Sequence, residues 1–173
     1  MPADSLDAMD VRPAGAEDAS WVAECCRRAF GSTVVASGGR LLHPHLLAGL
    51  IAWEAGERVG VLAYQEEEGG AEVVLLAAEP PGRGAGSALL AAAEALGRGR
   101  GWERLRLSTT NDNTGALAFY QRRGWDLIAL HRDAVSAARR LKPEIPATGH
   151  GGIPVRHALE LERRLGRDDE EEA

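Results

Sequence analysis

Between Pro81 and Ser87 the chain reads Pro81-Gly82-Arg83-Gly84-Ala85-Gly86-Ser87, a glycine-rich turn after a β-patterned stretch and before an apolar helical one. Where a strand passes into a helix through glycines, successive backbone N–H groups and the positive end of the helix dipole converge, and an anion can approach the main chain closely. The chemistry served by such a turn is the binding of a phosphate or pyrophosphate. Spacing separates the nucleotide templates. A P-loop needs Lys and then Ser or Thr after its last glycine, whereas Ser87 is followed by Ala88. A dinucleotide fingerprint closing on Gly or Ala also fails, because a start at Gly82 closes on Ser87 and a start at Gly84 closes on Leu89. On its own the segment fits an ordinary glycine-rich turn as well as an anion cradle.

The elements that hold this loop follow from periodicity. Val11-Arg12 reads as a short strand ended by Pro13, and Glu17 and Asp18 occupy the first turn of a helix running to about Phe30. Residues 31–49, with Gly31, Gly38, Gly39 and Pro44, show no period and read as loop with one short helix. Leu50 to Trp53, then alternating Val59, Val61 and Ala63, then Val73 to Leu76 predict three antiparallel strands joined at Ala55-Gly56 and Gly69-Gly70. The glycine loop opens a helix with Ala85, Leu89, Ala93 and Leu96 on one face, ending near Gly97, Gly99 and Gly101. Leu105 and Leu107 mark a strand, Ala116 to Arg123 a helix stopped by Gly124, and Trp125 to Leu130 a strand. Asp133 reads as the N-cap of a helix through Leu141, followed by a Pro/Gly-rich connection from Pro143 to Pro154 and a last strand, His157 to Arg163. The expected fold class is α/β of the α+β type, a mixed and mostly antiparallel sheet of about seven strands flanked by helices.

A second motif follows the strand that ends at Ser108-Thr109-Thr110: Asn111-Asp112-Asn113-Thr114-Gly115-Ala116-Leu117-Ala118-Phe119-Tyr120-Gln121-Arg122-Arg123-Gly124-Trp125. With the glycine loop one strand earlier, it resembles the GNAT superfamily of acetyl-CoA-dependent N-acyltransferases. Their loop Q/R-x-x-G-x-G/A is followed by N-x-x-A-x-x-F-Y-x-x-x-G-F/W, where Asn113, Tyr120 and Trp125 take the Asn, Tyr and final aromatic positions. The opening Val11-Arg12-Pro13-Ala14 with Glu17-Asp18 also looks like the family's first strand and helix, so the resemblance covers residues 10–131. It departs at Pro81, where the family carries Gln or Arg, and Arg83 is expected to supply charge to the phosphates instead.

The resemblance implies a single GNAT domain over residues 9–165, acetyl-CoA as cosubstrate, an unidentified amine as acceptor, and no metal. Arg83, Gly84, Ala85, Gly86 and Ser87 are expected to hold the cofactor's pyrophosphate, and Asn113 its pantetheine arm or the neighbouring backbone; Asn111, near the same strand end as Ser108 and Thr110, is expected among the cofactor-binding residues, with a plain cap as its alternative reading. Leu76, Ala77 and Ala78 are expected to pair with the pantetheine amides and, from a bulge, to offer a backbone N–H to the oxyanion. Tyr120 is expected to donate a proton or hydrogen bond to the coenzyme A sulfur. Glu72 is the first candidate base, acting through water; a regular strand would put it on one face with Val74 and Leu76, with some exposure near Gly70. A plain solvated carboxylate is its alternative reading. Glu144, in Lys142-Pro143-Glu144-Ile145-Pro146, is a second candidate. Residues 132–156, longer than a simple hairpin, are expected to form part of the acceptor pocket. Members of the family often pair, so a homodimer is compatible with the resemblance. A non-catalytic acyl-CoA sensor or interaction module on the same fold is the competing function.

Composition bounds these readings. A chain of 173 residues suits one globular unit. Of its formal charge of −6, most is carried by Asp168, Asp169, Glu170, Glu171 and Glu172, so residues 166–173 read as a solvated, disordered tail that says little about substrate. No apolar run reaches the length of a membrane span and the N-terminus lacks a leader pattern, so a soluble, cytoplasmic protein with no membrane partner is expected. Arg98, Arg100, Arg104 and Arg106 lie among glycines and strand residues without a stacking set of aromatics, which gives nucleic-acid binding little support. Cys25 and Cys26 lie on the apolar face of the first helix and read as core, and His43 and His45 flank Pro44 in a loop without acidic or thiol company.

Overall fold

In the computed structural model, which describes residues 9–166, the chain runs β1 (Asp10–Pro13), α1 (Ala19–Phe30), β2 (Val35–Ser37), β3 (Arg40–Leu42), β4 (Ala48–Glu54), β5 (Glu57–Glu67), β6 (Gly70–Ala78), α2 (Ala85–Arg100), β7 (Arg104–Thr110), α3 (Thr114–Arg122), β8 (Asp126–His131), α4 (Ala134–Ala138) and β9 (Ala158–Arg164). The acidic tail expected from 166 onward lies, apart from Gly166, outside the described residues. One sheet takes the strand order β1-β4-β5-β6-β7-β9-β8 and is antiparallel except between β6 and β7; β2 and β3 pair as a separate hairpin. This is the mixed, mostly antiparallel sheet of seven strands that the patterning predicts. The parallel step from β6 to β7 needs a long crossover, and α2 supplies it.

Helices cover both faces of the sheet. The α1 positions Val22, Cys25 and Cys26, at helical spacing, pack on Ile51, Val61, Ala63 and Leu75. From the opposite face, Leu89, Leu90 and Ala93 of α2 and Tyr120 of α3 pack against Leu62, Val73, Leu105 and Leu161. Because both faces are covered, β5 is buried continuously from Val59 to Tyr64 rather than at every second residue. Each aliphatic side chain of this size contributes about 1.5–3 kcal/mol on burial. Burial also pushes both cysteine thiols up in pKa, in keeping with their place in the core. Among the described residues, no helix is long and apolar enough to cross a membrane.

Local expectations fail in two places. Residues 31–49 hold the β2–β3 hairpin and a 3-10 turn at Pro44–Leu46, because strands of three residues are too short to display a period. In the other, α4 ends at Ala138 instead of Leu141, and Asp133 does not cap it through its side chain. The Asp133 carboxylate faces Arg156 at 3.6 Å and His157 at 3.7 Å. The chain beyond α4 is organised by Arg139, whose guanidinium donates to the carbonyls of Ile145, Pro146 and Val155 at 3.0, 3.0 and 2.7 Å.

Candidate active site

Strands β6 and β7 pair only where Gly70–Glu72 faces Arg104–Arg106. Both continue, to Ala78 and Thr110, so the two parallel neighbours separate and leave a wedge that opens toward their C-terminal ends. Each strand leads through a short loop into a helix, and the N-termini of α2 and α3 therefore both lie toward the open end. Their unpaired N–H groups and their dipoles favour an anion there. Leu76, Ala77 and Ala78, each half-buried, form the β6 rim of the wedge beyond its last pairing with β7.

A bulge in β6 decides which side chains face which side. Tyr64 stands opposite Val73 and Ala63 opposite Leu75, so Val74 is the extra residue. The bulge expected over Leu76 to Ala78 thus lies earlier in the strand, and it breaks the alternation. Val73, Leu76 and Ala78 pack on the α2 side, Leu75 and Ala77 on the α1 side. Glu72, adjacent to Val73, points to the α1 side and does not share a face with Leu76.

At the open end, Gly84 caps α2 with φ of 86°, a left-handed conformation that favours glycine. Arg83 is exposed and paired with Glu54 at 3.0 Å. Ala85 is buried, while Gly86 and Ser87 are half-buried. The Ser87 hydroxyl accepts from Arg123 Nε at 2.9 Å, and the same guanidinium stacks over the Phe119 ring at 3.5 Å from its centroid. Arg123 thus ties α3 to the start of α2 and brings a cation to the glycine loop. The sequence reading missed it, although its spacing of four residues from Phe119 was a signal for that stacking.

Asn113 caps α3, its Oδ1 accepting from the Ala116 N–H at 3.3 Å. Asn111, expected among the cofactor-binding residues or as a plain cap, has its side chain engaged elsewhere: it donates to the Pro154 carbonyl and accepts from the Arg156 and His157 N–H groups, all at 2.9 Å. Tyr120 is 9% exposed, with its ring against Phe119 and Trp125 at centroid separations of 5.3 and 5.5 Å. Burial pushes its phenol up to about 12.

Glu72 differs most from expectation. At 3% exposure it lies beneath the β2–β3 hairpin, accepts from the Ser37 hydroxyl, and pairs with Arg106 at 3.4 Å and Arg40 at 3.9 Å. Arg106 also binds Glu67 and stands 3.8 Å from Glu160. The expected exposure near Gly70 is lost because Ser37 and Arg40, more than thirty residues away in sequence, close over the carboxylate. Lys142, also buried, donates from Nζ to the Val34 carbonyl at 2.6 Å, fastening the segment after α4 to the strand entering the same hairpin. Glu144 is exposed two residues further on. Residues 31–42 and the segment after α4 are therefore joined on the α1 side of the sheet, opposite α2 and α3.

A mixed sheet that splits between two parallel strands, with two helix N-termini at the split, defines an α/β fold whose open end favours an anion. The chain belongs to the Acetyltransferase (GNAT) family, whose model matches residues 17–125. It is similar to the uncharacterized protein YxbD of Bacillus subtilis (strain 168), 44% identical over 107 residues that span 62% of this chain and 67% of that one. In fold it is similar to an IAA acetyltransferase from Bacillus cereus ATCC 14579, with a TM-score of 0.66 and 20% identity over 91% of this chain and 100% of that one. A GNAT family acetyltransferase from Elizabethkingia anophelis with acetyl-CoA bound superposes with a TM-score of 0.67 and 16% identity, over 92% and 99% of the two chains.

Proposed function

We propose that the protein is an N-acetyltransferase that moves an acetyl group from acetyl-CoA to an amine by direct attack in a ternary complex. The observation that carries this reading is the wedge between β6 and β7, open where α2 and α3 both begin. Backbone N–H groups of Gly84 to Ser87, with Arg83 and Arg123 near by, hold the pyrophosphate. The rim residues Leu76 to Ala78 pair with the pantetheine amides as a neighbouring strand would, and a β6 N–H beside the Val74 bulge receives the carbonyl oxygen as it becomes an oxyanion. Asn113 fixes the first turn of α3, and Tyr120, two turns on, donates to the departing sulfur.

The amine enters from the α1 side, between the β2–β3 hairpin and the segment after α4. It also has to give up a proton, and Glu72 is badly placed to take it. Protonating that carboxylate forfeits its charge-assisted contacts with Arg106 and Arg40, and the hairpin separates it from solvent. Its role in this reading is to hold the hairpin over the acceptor side. A cytoplasmic setting goes with the proposal.

Thiol release from acetyl-CoA in the presence of benzylamine, spermidine, kanamycin or an alanyl tripeptide tests it. At least one amine is expected to release thiol and yield a product heavier by one acetyl group. Tight acetyl-CoA binding with no acetylated product from any of the four would sink the reading. Lys142→Met should lower the melting temperature, by loss of a charged hydrogen bond worth about 1.5–3 kcal/mol, and raise the KM for the amine. Acetyl-CoA affinity by calorimetry should be unchanged, since the fastening lies on the opposite side of the sheet. Equal losses for both substrates would show that Lys142 merely supports the whole fold.

A further inference from the structure

The turn between β7 and α3 carries a carboxylate that the reading of the cofactor site leaves unused. Asp112, 4% exposed, follows the end of β7 at the open end of the wedge and immediately precedes Asn113. Its Oδ2 receives two hydrogen bonds from one residue, the backbone N–H of His150 at 3.2 Å and the Nδ1 of the same residue at 3.0 Å. Burial pushes the Asp112 pKa up, but hydrogen bonds, those of His150 among them, outweigh it and hold the carboxyl below the usual carboxylate range. Facing the carboxylate at 3.0 Å, Nδ1 is the ring nitrogen that donates, which leaves Nε2 as the nitrogen able to accept a proton. The side chain of His150 is 73% exposed, so Nε2 is open to solvent.

The turn bearing His150 is docked as one piece. Its 3-10 turn, His150–Gly152, is the tip of a small hairpin closed by Gly149 N–H to Ile153 O and Val155 N–H to Ala147 O, both at 2.9 Å. The three hydrogen bonds of Asn111 to Pro154, Arg156 and His157 clamp the base of that hairpin onto the end of β7. Gly149 permits the approach, because a Cβ there would run into the Asp112 carboxylate. The other charged groups of this region are turned to different partners: Arg139 to the Val155 carbonyl, Arg156 and His157 toward Asp133. What is left is an exposed histidine held by the buried carboxylate of the turn that joins β7 to the helix bearing Tyr120.

We propose that His150 is the base of the transfer reaction and that Asp112 is its positioning residue. This inference rests on the N-acetyltransferase reading. Nε2 takes one proton from the bound ammonium, R–NH3+, leaving a neutral amine and an imidazolium paired with Asp112. The amine nitrogen bonds to the thioester carbonyl carbon, the C–S bond breaks, and the second nitrogen proton passes through solvent to the thiolate. His150 returns its proton to water, so the balance is R–NH3+ and acetyl-CoA giving the acetamide, coenzyme A thiol and H+.

The test uses the full chain with the amine of the four-member panel that releases thiol fastest. His150→Ala should lower kcat by about 10²–10⁴-fold, the usual worth of a general base, with acetyl-CoA affinity unchanged; the melting temperature should fall somewhat, because the buried Asp112 loses its hydrogen bond from Nδ1. Added imidazole should restore part of the rate, because the exposed ring leaves an open gap. Asp112→Asn should lower kcat in the natural background and cost nothing further in His150→Ala, since residues acting as a unit are not additive. Wild-type kcat in His150→Ala, no rescue by imidazole, or an Asp112→Asn loss of equal size in both backgrounds would overturn the assignment while thiol release by the natural protein still upholds N-acetyl transfer. Absence of turnover by the natural protein with every amine would overturn the acetyltransferase reading and this inference with it.

Discussion

Gly84→Asp is expected to weaken acetyl-CoA binding by about 10²–10³-fold, the effect of a unit negative charge set a few ångströms from a pyrophosphate at surface-like dielectric. The protein itself has room for the side chain, because a Cβ at Gly84 meets nothing within 4 Å. The positive φ of 86° costs the fold something, but Asp and Asn are the side chains that tolerate it best. Gly84→Asn, with the same bulk and backbone demand but no charge, should therefore lose about tenfold or less. The difference between the two variants should shrink as salt rises, since an exposed charge is screened over ~10 Å at 0.1 M. Calorimetry with acetyl-CoA in low and high salt checks all of this. Equal affinity for the Asp variant and the natural protein would remove the pyrophosphate from the start of α2.

Tyr120→Phe should lower kcat by about 10–10²-fold, the worth of one hydrogen bond to a charged group at ~1.5–3 kcal/mol. Full proton transfer from the phenol would predict a larger loss, but burial argues against it. A coenzyme A thiol has the pKa of a cysteine, near ~8.5, so moving a proton to its thiolate from a phenol pushed up to about 12 is uphill by roughly 5 kcal/mol. Tyr120 can steady the sulfur without surrendering its proton. Acetyl-CoA affinity and the melting temperature at neutral pH should change little, because the ring contacts with Phe119 and Trp125 survive the substitution.

Alkaline stability supplies a second readout for the same variant. The folded-state pKa of Tyr120 lies above that of an unfolded tyrosine near ~10, so its contribution is complete below pH ~10 and is lost as pH rises through about 12. By pH 12 the natural protein should have lost up to about 3 kcal/mol more stability than Tyr120→Phe. Urea unfolding at pH 9 and pH 11.5 measures the difference. Parallel losses in the two proteins would mean that the phenol is not buried in solution.

Much of this was legible from the chain itself, and the reason is locality. A strand, a glycine turn and a helix in succession are consecutive in sequence, so the glycine loop as the opening of α2 was readable before any fold was known, whereas the capping of α3 by Asn113 was not. The spaced motifs around Gly84 and Tyr120 likewise pointed to the family that the match over residues 17–125 shows. Alternation and turn residues predicted the meander of β4, β5 and β6 and the mixed character of the sheet.

What the chain alone could not display depends on pairing between distant residues. That β9 inserts between β7 and β8, and that β6 leaves β7 after Glu72, are choices of partner invisible to a local pattern. One bulged residue, Val74, flipped Glu72 to the opposite face from the one regular alternation gives Leu76, because a side-chain period of two reverses with every insertion. Ser37, Arg40 and Arg106 reach Glu72 from three other strands and turn an apparently free carboxylate into a buried ion-paired one. Asp112 and His150 are 38 residues apart, one in a helix-starting turn and the other in a glycine-rich connection, and no local pattern pairs them. Sequence determined most of the elements and the glycine loop that opens α2 because those are set within a few residues; only the tertiary fold decided which carboxylate is locked away and which one holds a histidine, since burial and hydrogen bonding at those groups come from segments far along the chain.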